Sequence, residues 1–108
     1  MKYAIEKHNR RLTLYFPPDV VSTNVDGFKR EIDELFASDQ CKETDWVNLR
    51  LELSDAKMVD SAGLNFVVTL VKQTKERDGS VEAVISSEHI RRTLMFTRLD
   101  KQMKVTFN

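Results

Sequence analysis

Strict alternation along one short segment settles how this chain must be layered. From Val47 to Leu53, the apolar residues Val47, Leu49, Leu51 and Leu53 alternate with Asn48, Arg50 and Glu52, a period of two that sends each set to its own face of a β-strand. A strand covered by helices on both sides reads as continuously apolar, so a polar face implies a sheet packed on one side only. Other segments repeat the pattern. Leu12, Leu14 and Phe16 face one way while Arg11, Thr13 and Tyr15 face the other; Val81, Ala83 and Ile85 form another strand, and Met103, Val105 and Phe107 the last. Tyr3 to Glu6 precedes them across the polar turn Lys7-His8-Asn9-Arg10. Pro17 and Pro18 stop the second strand because neither can donate to a sheet ladder.

Helical spacing fills the gaps. Val25, Phe28, Ile32, Leu35 and Phe36 recur on one face, with Asn24 or Thr23 available as the N-cap. The polar stretch Ser38 to Asp45 reads as a connection, placing Cys41 in a polar loop. Ser61 to Arg77 reads as a helix closed by Asp78-Gly79, where Gly79 suits a left-handed turn. Ser86 or Ser87 caps a helix carrying Ile90, Leu94 and Met95 on its inner side. The order is ββαβαβαβ, and single helices between strands favour right-handed crossovers with parallel pairing in part of the sheet. The expected fold is a two-layer α/β domain, a mixed sheet of about five strands with helices mostly on one face.

Composition narrows the function. At 108 residues the chain is the size of one domain, 1–108. Its 17 Lys and Arg cancel its 17 Asp and Glu, which argues against nucleic acid as a partner. No apolar run reaches the roughly 18 residues of a membrane span, and Met1 to Leu12 lacks an apolar signal segment. These features read as a cytoplasmic domain with no direct membrane insertion. The single cysteine forms no internal disulfide. No His/Cys/Asp cluster has metal-ligand spacing and no Gly-rich loop cradles a phosphate, so no metal and no cofactor are expected.

The helix from Ser61 is unusual. At about 100° per residue, Phe66, Leu70, Gly63, Val67, Val71, Leu64 and Val68 occupy an arc of roughly 200°. That is wider than one sheet contact needs, so the helix is expected between the sheet and another helix. Ser61, Asn65 and Thr69 line its polar edge, together with Ala62, Lys72 and Gln73. Two readings of Asp60-Ser61 are open on chemistry alone. Either residue can serve as the N-cap. Alternatively, an exposed hydroxyl at a helix N-terminus accommodates a phosphate that the dipole favours and a partner surface does not.

The strand Val47-Asn48-Leu49-Arg50-Leu51-Glu52-Leu53-Ser54 followed by Met58-Val59-Asp60-Ser61-Ala62-Gly63-Leu64 resembles the hallmark of the STAS domain, the family of anti-sigma factor antagonists and of sulfate-transporter cytoplasmic domains. Asp78-Gly79-Ser80-Val81, Ile85-Ser86 and Arg98-Leu99-Asp100 fit the family's later positions. The resemblance is good over about residues 46 to 107 and holds in outline before that. It implies an anti-sigma factor antagonist that is no enzyme. Its partners are a GHKL-type serine kinase acting as the anti-sigma factor, which phosphorylates Ser61, and a metal-dependent serine phosphatase that reverses the mark. The implied partner surface comprises Asp60, Ser61, Ala62, Asn65 and Thr69, with Asp19 from the preceding loop, on a monomer or weak dimer. A STAS subunit of a transport complex and a stressosome-type scaffold, neither needing phosphorylation, are the alternatives. The family's Gly-x-Leu-Asp turn is replaced by Phe16-Pro17-Pro18-Asp19-Val20, Glu52 stands for the commoner Asp, and Arg98 stands where a left-handed glycine is usual.

The remaining residues read more plainly. Ser61, Asp60 and His89 lack the Gly-x-Ser-x-Gly elbow of a hydrolase triad. Lys72, Lys75 and Arg77 form a solvated helix end that suits the dipole. Arg91 and Arg92 read as surface charge, or as contacts to an acidic partner. Met58 and Val59 read as a buried lead-in to the helix, while the family resemblance implies that such apolar neighbours border the partner contact with some exposure.

Overall fold

In the computed structural model, which describes residues 1–108, the inward leucines lie in register across the sheet. Leu12 sits opposite Leu49 and Leu14 opposite Leu51; Leu49, Leu51 and Leu53 in turn face Val81, Ala83 and Ile85. The strands are β1 (Lys2–Glu6), β2 (Arg11–Tyr15), β4 (Asn48–Leu53), β6 (Ser80–Ile85) and β7 (Lys104–Phe107), in the order β1-β2-β4-β6-β7. Only β1 is antiparallel to its neighbour. A second, two-stranded ladder joins β3 (Asp19–Val20) to β5 (Met58–Val59) in parallel.

Helices α1 (Ser22–Ala37), α2 (Asp39–Thr44), α3 (Ser61–Glu76) and α4 (Glu88–Phe96), with a 3-10 turn at Leu99–Lys101, complete the chain. Val25, Ile32, Leu35, Phe66, Leu70, Ile90 and Leu94 join the inward sheet residues in one core cluster, so the helices cover one face as the alternation requires. The other face stays polar, with Arg50 Nε 3.1 Å from Glu82 Oε1. Thr13 departs from expectation. It is buried although it points to the polar face, because β2 lies inside the sheet and Ala4 and Arg50 flank it in register.

The wide apolar arc of α3 is used on both sides. Gly63, Phe66, Val67, Leu70 and Val71 are buried, and the Phe66 ring meets those of Phe16 and Phe28 with centroids 6.3 Å apart. The helix is therefore held between the sheet and α1. Phe66 alone, as a fully buried aromatic, contributes about 3–5 kcal/mol by the usual cost of truncation to alanine.

Several local expectations are corrected. The start of α1 is capped at Val21, not at Thr23 or Asn24; Asn24 lies in the first turn, where Oδ1 accepts the Val21 N–H at 2.9 Å. The polar stretch from Ser38 forms α2, whose buried Cys41 donates its N–H to Ser38 Oγ. Burial pushes the Cys41 thiol above its ordinary value. Arg77 is not simply solvated, since its guanidinium lies 3.9 Å over the ring of buried Trp46 and 3.6 Å from Asp45.

The left-handed residue after α3 is Asp78, at φ 59°, rather than Gly79. Gly79 is needed for a different reason: a Cβ there would lie 2.8 Å from Thr74 Cγ2 and closer still to the Val47 carbonyl oxygen. Arg98 takes φ 63° without help from glycine. Of the two serines before α4, Ser87 accepts the Ile90 N–H. Met95 lies one residue round the helix from inward Leu94 and is 49% exposed, and Phe107, on the edge strand, is 50% exposed.

Candidate functional site

The candidate site is built where the loops leaving β2 and β4 are zipped together. Pro18 has no N–H, but its carbonyl accepts from Lys57 N–H at 2.7 Å and Met58 N–H at 3.1 Å. The β3–β5 ladder continues this pairing, setting Asp19 against Met58 and Val20 against Val59. Close packing of α3 on this ladder depends on Gly63, where a Cβ would fall 2.8 Å from the Val20 carbonyl carbon. The N-termini of α1 and α3 are thereby brought side by side.

Asp60 joins them. Its Oδ1 accepts the Gly63 N–H at 2.9 Å, capping α3, and its Oδ2 accepts the Ser22 N–H at 2.9 Å, capping α1 from another segment of the chain. The Gly63 and Ser22 N–H groups hold the Asp60 carboxyl below its ordinary value, because each bond favours the charged form. The capping question left open by the sequence is thus answered by Asp60, which frees Ser61 from that task. Ser61 is the first residue of α3 and is exposed.

The remaining expected residues surround this point. Ala62 is half-buried, while Asn65 and Thr69 are exposed along the same edge of α3, the Thr69 hydroxyl donating to the Asn65 carbonyl at 3.0 Å. Asp19 is exposed, and its carbonyl accepts from Asn24 Nδ2 at 2.8 Å. Asp19, Asp60, Ser61 and Ala62 therefore share one rim, from which Asn65 and Thr69 continue along the exposed edge of α3, Thr69 two turns further on. His89 is exposed on α4, and both oxygens of Asp60 are taken by backbone donors. Met58, which the residue pattern read as buried and the family resemblance as a partly exposed border, is 54% exposed beside this rim. Sequence reasoning missed Ser22, because the start of α1 was placed too late. The Asp19-Val20 and Met58-Val59 pairs carried too short a pattern to announce a ladder.

Residues 2–108 match the family model of the STAS domain. The chain belongs to the STAS domain family. Its fold is shared with a crystal structure of a candidate anti-sigma factor antagonist from Thermotoga maritima, at TM-score 0.77 and 25% identity, covering 99% of this chain and 86% of that one. An anti-sigma factor antagonist from Mycobacterium paratuberculosis is similar at TM-score 0.74 and 17% identity, with 97% and 84% covered. The Bacillus cell fate determinant SpoIIAA, in its phosphorylated form, is similar at TM-score 0.68 and 12% identity, with 99% and 93% covered. No curated protein matches the chain. In this STAS domain the rim carrying Asp60 and Ser61 lies at the C-terminal ends of the parallel strands, a usual place for sites in open α/β sheets. No helix is long and apolar enough to cross a membrane.

Proposed function

We propose that this STAS domain, a single unit over residues 1–108, is an anti-sigma factor antagonist controlled by phosphorylation of Ser61. Unmodified, its rim of Asp19, Asp60, Ser61 and Ala62, with Asn65 and Thr69 along α3, docks on a GHKL-type serine kinase that is also the anti-sigma factor, and so releases a sigma factor in the cytoplasm. A metal-dependent serine phosphatase restores the binding form. The domain acts by binding and catalyses nothing itself.

The observation that carries this reading is the division of labour at the start of α3. Asp60 satisfies the helix N-termini while Ser61 stands exposed beside it. A phosphate on Ser61 adds about −1.5 to −2 charges next to the Asp60 carboxylate. The fold tolerates this, because two helix N-termini present positive dipole ends there. A partner laid over the rim does not, since it would bury a dianion beside a carboxylate. A penalty of a few kcal/mol weakens such binding by roughly 10²-fold.

Incubation with the cognate kinase and ATP, followed by mass spectrometry, is expected to place one phosphate on the Ser61 peptide. Ser61→Ala should bind the kinase constitutively and Ser61→Asp poorly. Equal binding by both variants and the unmodified protein would refute the switch.

A further inference from the structure

The face of the sheet turned away from the helices carries a cleft of about 330 Å³. Arg11, Asn48, Ser80 and Lys104, which open β2, β4, β6 and β7, form its polar lining together with Arg50 and Glu82, two positions into β4 and β6. The cleft thus sits at the N-terminal ends of the parallel strands, whereas Ser61 follows their C-terminal ends. Three cations stand there against one carboxylate, in a chain whose 17 basic residues equal its 17 acidic ones.

The acceptors of the cleft are already engaged. Asn48 Oδ1 accepts from Ser80 Oγ at 2.7 Å, and Glu82 has Oε1 3.1 Å from Arg50 Nε and Oε2 3.4 Å from the Thr106 hydroxyl. Glu6, opposite Arg11 in register, accepts instead from Asn9 Nδ2 at 2.7 Å. The donors are not engaged. Arg11 and Lys104 make no ion pair and no side-chain hydrogen bond, and Arg50, although close to Glu82, donates no hydrogen bond. Further along the strands the same face turns to Thr13, Tyr15, Glu52 and Val84. Positive charge is therefore confined to the cleft and does not extend into the stripe that a nucleic acid requires. Spacing adds a second condition. Arg11 and Arg50 lie on adjacent strands, whereas Lys104 lies two strands beyond Arg50, about 10 Å across the sheet. One oxyanion held in the planar forks of the two arginines leaves Lys104 unmet, and a second one meets it.

We propose that this cleft binds a small soluble molecule carrying two oxyanion groups, phosphoryl or carboxylate, one clasped by Arg11 and Arg50 and the other by Lys104. The volume, at the lower end for ligand sites, suits a molecule of that size. The site does not use Ser61, so this proposal and the switch stand or fall separately.

The test is amide-shift titration of the full-length protein by NMR, at constant ionic strength and without divalent metal. Pyrophosphate and succinate are the probes with two oxyanion groups, and orthophosphate and acetate are their counterparts with one. At least one probe is expected to give saturable shifts centred on Arg11, Arg50, Glu82 and Lys104, at least tenfold tighter than its counterpart. Which probe responds identifies the oxyanion as phosphoryl or carboxylate. Lys104→Gln, at an exposed position, should weaken that binding about tenfold, and Glu82→Gln, which removes the one carboxylate of the cleft, should tighten it. Arg92→Gln, which removes an exposed charge on α4, should leave it unchanged. Absence of saturable shifts at millimolar probe, shifts centred on the N-termini of α1 and α3, equal binding of probe and counterpart, or parental affinity in Lys104→Gln would overturn the proposal.

Discussion

Gly63 and Gly27 offer the same substitution in two helices of equal length with opposite expected outcomes. In a bare helix, Gly→Ala is favourable by about 1 kcal/mol, because alanine restricts the unfolded chain and suits the helix. Gly27 in α1 has nothing within 4 Å of a built Cβ. Gly27→Ala should therefore stabilise the protein by about 0.4–1 kcal/mol. At Gly63 the same methyl would lie 2.8 Å from the Val20 carbonyl carbon, against the roughly 3.5–4.0 Å of ordinary carbon contact. The obstacle is backbone belonging to the β3–β5 ladder, so no rotamer change relieves it. Overpacking costs about 1–3 kcal/mol, and this case belongs at the upper end. Net of the helix gain, Gly63→Ala should destabilise by about 2 kcal/mol. In urea, with a slope of about 1–3 kcal/mol per molar, the midpoint should fall by about 1 M. Thermal melting should drop by about 8–16 °C, scaling from domains of similar size. If Gly63→Ala proves as stable as the parent while Gly27→Ala behaves as stated, the close approach of α3 to β3 does not constrain the fold and the reasoning is refuted.

The other expectations concern single side chains. Because two backbone N–H groups lower the Asp60 carboxyl, it stabilises the fold above the ordinary carboxylate value near 3.8, and that contribution is lost as pH falls from there through its lowered value. Urea midpoints measured from pH 7 down to 2 should show this loss, and Asp60→Asn should be less stable at pH 7 with a flatter acid limb. Arg77→Ala removes the cation over Trp46 and should cost about 1 kcal/mol, with a change in tryptophan fluorescence; Asp45→Asn, which removes the exposed ion pairs but keeps a residue suited to the left-handed backbone at φ 49°, should cost less. Cys41, buried and with a raised pKa, should resist maleimide under native conditions and react promptly in urea. Equal labelling rates in the two would place the thiol at the surface.

The architecture was legible where a pattern ran long enough to repeat. Leu49, Leu51 and Leu53 gave a one-sided sheet, and the broad apolar arc of α3 gave a helix with two neighbours. What escaped were features made by residues distant in sequence. Asp60 caps its own helix by a local rule, yet its bond to Ser22 spans 38 positions and depends on a ladder only two residues long. Arg77 looked like a helix-end charge because nothing local announces Trp46, 31 residues earlier, beneath it. Met95 and Met58 were misassigned inward for a related reason, since methionine suits either environment and only tertiary neighbours decide. The exposed place of Ser61 at the start of α3 was legible from helix position, whereas the exposed Met58 nearby carried no periodic signal.

The strand order has a practical consequence for anyone building fusions of this protein. With β1 at one margin and β7 at the other, the termini are separated by four inter-strand spacings, about 19 Å. Yet both emerge at the same end: Lys2 pairs with Tyr15 and Phe107 with Ile85. That is also the end bearing the exposed serine. An affinity tag or fluorescent reporter joined directly to β1 or β7 would lie at the same end of the sheet as Ser61, so assays of the proposed switch should be repeated after the appendage is cleaved.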